Sequence, residues 1–296
     1  MTKWLKFANN NGNICIKQKR KNTISSIPLA QPGNVKPIGA IVGDIVGSIY
    51  EFNNHRSKAF PLFGDQVEFT DDSIMTIATM EALMAGGAHD DFVDAYKRLG
   101  VKYPSSYGLR FSNWLQSEDP QPYDSWGNGA PMRVSPVAWF YDDLQTVERM
   151  AAVSSEVTHN HPEGIKGAQS IAGAVFLART GKSKQEIKEY IETNYGYFLD
   201  FTLDDIRQTY QFDESSAETV PPAVVAFLES TSFEDAIRNA ISVGGDSDTL
   251  AAITGAIAEA FYGVDDTIKE KAISYLSDEL RTILERFSAM IRSVDT

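Results

Sequence analysis

The sequence predicts an all-α protein built around one large domain. No stretch of useful length alternates apolar and polar residues with the period of a half-buried strand. After Pro37, apolar residues recur at helical spacing, with Gly, Pro and polar stops between the runs. One run, 250–262, carries a single charge, Glu259, and is apolar nearly all round, which marks a helix inside a core.

The folded body begins at Pro37, behind an arm of residues 1–36. The arm holds seven basic side chains (Lys3, Lys6, Lys17, Lys19, Arg20, Lys21 and Lys36) and no acid. It is polar, Asn-rich and without periodicity, which predicts a flexible or partner-ordered extension, or more plainly a solvated tail folding back on the acidic body. Residues 37–296 hold 20 of the 27 basic and all 40 acidic side chains, a net of −20 beside −13 for the whole chain. Such a body excludes nucleic acid as a partner, because phosphate backbones need surplus cations.

Over 38–50, Gly39, Gly43 and Gly47 recur every four residues and line one ridge of a helix, so a neighbouring helix can approach closely. Asp44, Ser48 and Glu51 form a polar stripe among apolar residues. Asp44 is then either a hydrogen-bonded structural group or part of a helix lining an active site. A loop on the aromatic anchors Phe60 and Phe63 follows, then a helix over 70–84 stopped by Gly86-Gly87, and helices over 90–99 and 105–115. In Trp126-Gly127-Asn128-Gly129, the glycines permit positive φ and turn backbone N–H groups toward one point, as phosphate oxygens require, with Arg133 as a cationic donor; an ordinary turn is the alternative. Further helices are expected over 134–140, 144–157 and 165–177, the last with Pro162 at its first position. Of the two histidines before it, His159 reads as a substrate contact and His161 as a cap or core partner. A helix over 183–194 ends at Gly196. The aromatic stretch 195–212 is a wall for a planar ring or core packing. Pro221-Pro222 opens a helix to 229, and helices over 232–243, 250–262, 267–276 and 278–291 complete the chain. No repeat, low-complexity tract or linker interrupts 37–296.

Two stretches share one design. Thr70-Asp71-Asp72-Ser73, and Asp246-Ser247-Asp248-Thr249 after Gly244-Gly245, each set a hydroxyl and paired carboxylates at the mouth of an apolar helix. Taken singly, each reads as an N-cap with acids in the first turn. Taken together they supply the oxygen ligands hard divalent cations need, and four carboxylates brought together repel unless cations neutralise them. A single cysteine, Cys15, excludes an internal disulfide framework and suits a reducing cytosol. The first ten residues lack the apolar core of a signal peptide, and the apolar runs fall short of a membrane span. A cytoplasmic protein is expected.

In order along the chain stand Gly39-Ala40, Gly43-Asp44, Gly47 and Glu51; Phe69-Thr70-Asp71-Asp72; Gly127-Asn128-Gly129-Ala130 with Met132-Arg133; Thr158-His159; and Gly244-Gly245-Asp246-Ser247-Asp248-Thr249. In this the chain resembles ADP-ribosylglycohydrolases of the bacterial type, over about residues 37–292. Phe212-Asp213, Val220-Pro221 and the run 236–241 are similar too. The resemblance implies an all-α bundle holding two Mg²⁺ or Mn²⁺ ions and cleaving ADP-ribose from a modified protein side chain or small molecule. It makes Thr70, Asp71, Asp72, Asp246, Asp248 and Thr249 the metal ligands. Glu51 becomes the acid/base, Asp72 the neighbour of the attacking water, and Gly127, Asn128, Gly129, Met132 and His159 the substrate contacts. Ser73 stands where Thr is frequent in the family, which keeps the oxygen. The arm lies outside the family pattern and allows a second role, an immunity protein that blocks an ADP-ribosyltransferase toxin through residues 1–36. A catalytically dead ADP-ribose binder is disfavoured, because all six ligand positions are intact.

Overall fold

The structure is a computed structural model that describes residues 6–8, 14–16 and 37–292. In the arm, β1 (Lys6–Ala8) pairs antiparallel with β2 (Ile14–Ile16), Phe7 opposite Cys15. Strands of three residues are too short for alternation to reveal. The rest of the arm, and with it most of the expectation made for it, lies outside the described residues.

The body is helical, as expected. Its elements are α1 (Gly39–Gly47), α2 (Asp71–Ala85), α3 (His89–Lys102), α4 (Leu109–Gln116), α5 (Gly129–Arg133), α6 (Ser135–Phe140), α7 (Leu144–Glu156), α8 (Pro162–Arg179), α9 (Lys184–Tyr195), α10 (Leu203–Ile206), α11 (Ser216–Glu229), α12 (Phe233–Val243), α13 (Ser247–Tyr262), α14 (Asp266–Ile273) and α15 (Asp278–Arg292). Among the described residues, no helix is long and apolar enough to cross a membrane.

The core is organised on the pair α1–α13. Every residue of α1 is buried, as is α13 from Ser247 to Ala260. The glycine ridge explains how closely they pack. A Cβ placed on Gly39, Gly43 or Gly47 would lie 2.2 Å from the Gly255 carbonyl oxygen, 2.0 Å from that of Ala251 and 2.4 Å from Asp248 Cα. The helices therefore meet backbone to backbone, and α8, α11 and α12 pack around α13. At one end of the pair Glu259 completes α1. Ile38, at its N-cap position, has no side chain to cap with, and the Glu259 carboxylate accepts from Ile38 N at 2.9 Å and Gly39 N at 2.6 Å. Burial pushes Glu259 up to about 7, against the pull of those two bonds. At the other end, Gly47 abuts the first turn of α13, which fixes where that helix begins.

Local signals placed many boundaries. Pro162 occupies the first turn of α8, and the His161 side chain caps it by accepting from Glu163 N at 3.1 Å. Ser183 and Glu186 form a capping box on α9, which ends at left-handed Gly196. Two expectations need correction. The helix expected over 105–115 begins only at Leu109. Pro221 and Pro222 lie inside α11, which starts at Ser216 on a Ser215 cap. Proline cannot donate to the preceding turn, so the carbonyls of Ala217 and Glu218 lose their helical donors. The Tyr210 hydroxyl replaces one of them, donating to the Glu218 carbonyl at 3.1 Å.

Gly43→Ala tests the helix contact. It should lower stability by at least about 1–3 kcal/mol, the usual cost of overpacking, since the obstacle is backbone. Gly108→Ala, with nothing within 4 Å of the added methyl, should stay within about 0.5 kcal/mol of the parent in thermal unfolding.

Candidate active site

The contact of α1 with α13 sets three acidic stretches at one place: Asp44 and Glu51 on and just after α1, Asp71 and Asp72 at the start of α2, and Asp246 and Asp248 at the start of α13. The plain capping reading fails for both motif stretches. Thr70 and Asp246 hold the N-cap positions, yet among the described residues neither side chain makes a capping bond. The cap of α2 comes instead from α1. Asp44, fully buried, accepts from Thr70 N at 2.9 Å, Thr70 Oγ1 at 2.5 Å, Ser73 N at 3.0 Å and the Ser73 hydroxyl. Both readings of Asp44 therefore hold: it is a saturated structural group, and it borders the site.

Thr249 bridges the two motifs, its hydroxyl donating to Asp72 Oδ2 at 3.3 Å while its N–H donates to Asp248 Oδ1 at 3.0 Å. The other Asp72 oxygen, Oδ1, is buried with no hydrogen-bond partner among the described residues. Carboxylate oxygens of Asp44, Asp72 and Asp248 lie within 4.8 Å of one another, and so do those of Glu51, Asp246 and Asp248. Burial first, and neighbouring acids second, push Asp72 and Asp248 well above the usual carboxylate range. The same causes lift Asp71 to about 6 and the half-buried Glu51 to about 8. Burial also raises Asp44 and Asp246, against the hydrogen bonds each accepts. These residues fit a divalent cation: two overlapping carboxylate trios, a partnerless buried oxygen and nearby hydroxyls form an all-oxygen donor set.

A cavity of about 360 Å³ opens over this floor. Glu51, Asp71, Asp72, Asp246, Asp248 and Thr249 line it together, as do Gly127, Asn128, Gly129, Met132 and His159. Thr70 is not brought to its wall, its hydroxyl being engaged by Asp44. The walls also hold Phe212, which the family resemblance and the aromatic stretch 195–212 both mark, and Tyr107, Arg110, Tyr123 and Glu214, for which the sequence offers no signal.

The Gly127–Gly129 loop differs from expectation. Neither glycine has a positive φ. Gly129 is small because the His159 ring is close, a Cβ there lying 3.1 Å from its Nε2; at Gly127 the tightest neighbour of a Cβ is the Ser125 hydroxyl, at 3.2 Å. Asn128 N donates to the Glu214 carbonyl at 2.7 Å and its side-chain amide to Asp246 Oδ2 at 2.7 Å, so this residue ties the loop to the acidic floor. Arg133, expected as a cationic donor to phosphate, is buried over the Tyr96 ring at 4.2 Å and donates to Thr158 Oγ1 at 2.7 Å. Thr158 in turn meets His159 Nδ1 at 2.7 Å. Since arginine only donates, the Thr158 hydrogen is free to go to Nδ1, which leaves the His159 proton on Nε2, facing the glycines. Burial, with Arg133 and Arg110, holds His159 well below its usual value, so the ring is neutral.

Fold and site together define a helical hydrolase whose carboxylate floor is able to hold cations. The pattern of the ADP-ribosylglycohydrolase family matches residues 38–295, and the chain belongs to that family. It is similar to ADP-ribosylhydrolase ARH3 of Homo sapiens, at 28% identity over 77% of this chain and 84% of that protein. It is also similar to ADP-ribosylarginine hydrolase Tri1 of Pseudomonas putida (strain GB-1), at 27% identity over 77% of this chain and 69% of the relative. A solved structure named ADP-ribosylglycohydrolase-related protein complex superposes with a TM-score of 0.64 at 22% identity, covering 86% of this chain and 98% of that one, which is a likeness of fold.

The raised carboxyls make a pH signature. A folded-state value above the ordinary one contributes stability that is complete below the ordinary carboxylate range and lost as pH rises through the folded value. With Asp71 at about 6 and Glu51 at about 8, the chelated protein should melt at progressively lower temperature as pH rises from about 5 to 9. Added Mg²⁺ or Mn²⁺ should flatten or reverse that fall, because cations compete with protons for the same oxygens. Identical pH profiles with and without metal would show that these acids do not bind cations.

Proposed function

We propose that the protein hydrolyses the glycosidic bond between ADP-ribose and an acceptor, with two Mg²⁺ or Mn²⁺ ions held by Asp71, Asp72, Asp246, Asp248 and Thr249, and by the lone pairs that the Thr70 hydroxyl keeps while it donates to Asp44. The observation that carries this reading is the buried, partnerless Asp72 oxygen in one of two carboxylate trios that share Asp248 beneath the cavity. When bound, the cations supply positive charge and Lewis acidity beside the sugar. Four aspartates among the ligands would bring that centre close to neutrality.

The chain's own groups divide the remaining work. Cleavage at the anomeric carbon develops oxocarbenium character, and the departing acceptor needs a proton. Glu51, half-buried at the edge of the cavity, is the group that gives or takes it. Asp72 orients the attacking water. The Nε2–H of His159, the narrow Gly127–Gly129 wall and Met132 hold the diphosphate and distal ribose, and Tyr123 and Phe212 keep solvent out.

For the acceptor we favour a modified arginine. Beside the carboxylates of Glu51 and Glu214, the exposed rings of Phe52 and Phe212 stack at 6.1 Å, a surface suited to a planar cation. The similarity to an ADP-ribosylarginine hydrolase supports the same choice. Seven unopposed basic residues in the arm support a second role in binding an acidic partner such as a transferase, and the lone cysteine supports a cytoplasmic setting.

Hydrolysis of arginine- and serine-linked ADP-ribosyl peptides, with and without chelator, tests the reading. Metal-dependent release of ADP-ribose, faster from arginine, is expected; full activity in chelator would sink the cation-assisted mechanism. Asp72→Ala and Asp248→Ala should each abolish turnover. Glu51→Gln should slow it by roughly 10²–10⁴-fold while calorimetry finds ADP-ribose affinity nearly unchanged. An equal loss of affinity would make Glu51 a binding group.

A further inference from the structure

Glu51 stands in a turn that burial does little to hold. Phe52 is 78% exposed, and Asn53 and Asn54 are exposed as well. A side chain that must transfer a proton at a defined point needs a more rigid mount than such a turn supplies. The mount is polar, and one residue forms most of it. Asn54 Nδ2 lies 2.9 Å from the carbonyls of Tyr50, Glu51 and Gly245, its two hydrogens shared among the three, and its Oδ1 accepts from Gly245 N at 2.8 Å. Only this orientation of the amide suits all four partners, since the three carbonyls need a donor and the N–H an acceptor. Its two bonds to Gly245 grip both polar groups of one residue, as a neighbouring strand would. Gly245 immediately precedes Asp246, at a φ of +71°.

Arg56 braces the same junction. Its guanidinium donates to the carbonyls of Val243 and Tyr210, each at 2.7 Å, and to that of Arg207. A Cβ on Gly244 would lie 3.0 Å from the Arg56 Cζ and 3.1 Å from Asn54 Oδ1, so this glycine leaves room for both side chains. The backbone that carries Glu51 is thereby fixed to the backbone that delivers Asp246 and Asp248.

We propose that Asn54, braced by Arg56, is a positioning residue that sets Glu51 against the Asp246–Asp248 side of the acidic floor. The inference rests on the role given to Glu51 above. It predicts that Asn54→Ala lowers kcat by roughly 10²-fold, the scale of a small misplacement of a reacting group, with ADP-ribose affinity and melting temperature little changed. A double-mutant cycle separates positioning from general loosening. Because Asn54 acts through Glu51, Asn54→Ala should cost no more than about 2- to 3-fold further in a Glu51→Gln background. If the two losses multiply in full, or if Asn54→Ala leaves kcat intact, the proposal is wrong.

Hydrogen exchange gives a readout that needs no turnover. Asn54→Ala should accelerate exchange in 50–56 and 243–248 together, and unchanged exchange in either segment overturns the proposal whatever the activity. A wild-type protein inactive on every acceptor, with the exchange effect present, would overturn the hydrolase reading and leave the tie between the two segments standing.

Discussion

The close contact of α1 with α13 is the constraint on which the rest of the molecule depends. Because the glycines of α1 meet the carbonyls of α13 directly, the two helices have one register, and that register puts the first turn of α13 beside the last turn of α1. Asp44, one turn earlier, is then placed to reach across and cap α2. The consequence is that carboxylates from three separate stretches share one floor, those of Asp44, Asp72, Asp246 and Asp248 on or at the ends of buried helices and that of Glu51 in the turn after α1. Such crowding opposes folding, since buried like charges must hold protons or find cations. The apolar packing around α13 carries a local electrostatic strain that the function requires.

The two ends of this helix pair are finished by the same device. Glu259 of α13 caps α1, and Asp44 of α1 caps α2. In each case a buried carboxylate from one helix satisfies the open N–H groups of another, where a local Ser, Thr or Asp cap would serve at the surface. Thr70, whose local sequence looks like a cap for α2, is itself held by that outside carboxylate and makes no capping bond.

Much of this was legible in the sequence, and what was not has identifiable causes. The Gly39–Gly43–Gly47 ridge predicted a close helix neighbour, and the paired hydroxyl–carboxylate motifs predicted convergence, because both are statements about one helix face or one helix end. The partner helix, and the capping by Asp44, are contacts between distant segments that no local pattern encodes. Gly127-Asn128-Gly129 suggests a need for backbone freedom; Gly129 answers instead a need for space beside His159, and sequence cannot distinguish the two. Pro221 and Pro222 were taken to open a helix, the commonest place for proline, but a tyrosine hydroxyl from 210 makes an interior position tolerable. Asn54 and Arg56 looked like ordinary polar loop residues. The rim of the cavity was the least legible part, since Tyr107 and Glu214 come from loops, and Arg110 from the first turn of α4, whose placement is decided by the larger helices beneath them.

The pairing of α1 with α13 also bears on how the protein is made. The Glu259 carboxylate and the Ile38 amide that it caps are 221 positions apart in the chain. At bacterial or eukaryotic rates of about 5–20 residues per second, α1 must wait some tens of seconds on the ribosome before its partner emerges. Throughout that interval the glycine ridge of α1 lacks the helix that covers it, and contacts of such sequence separation form slowly even when both partners exist. The acidic floor is likewise incomplete until Asp246 and Asp248 have emerged, so shorter nascent chains lack members of both carboxylate trios.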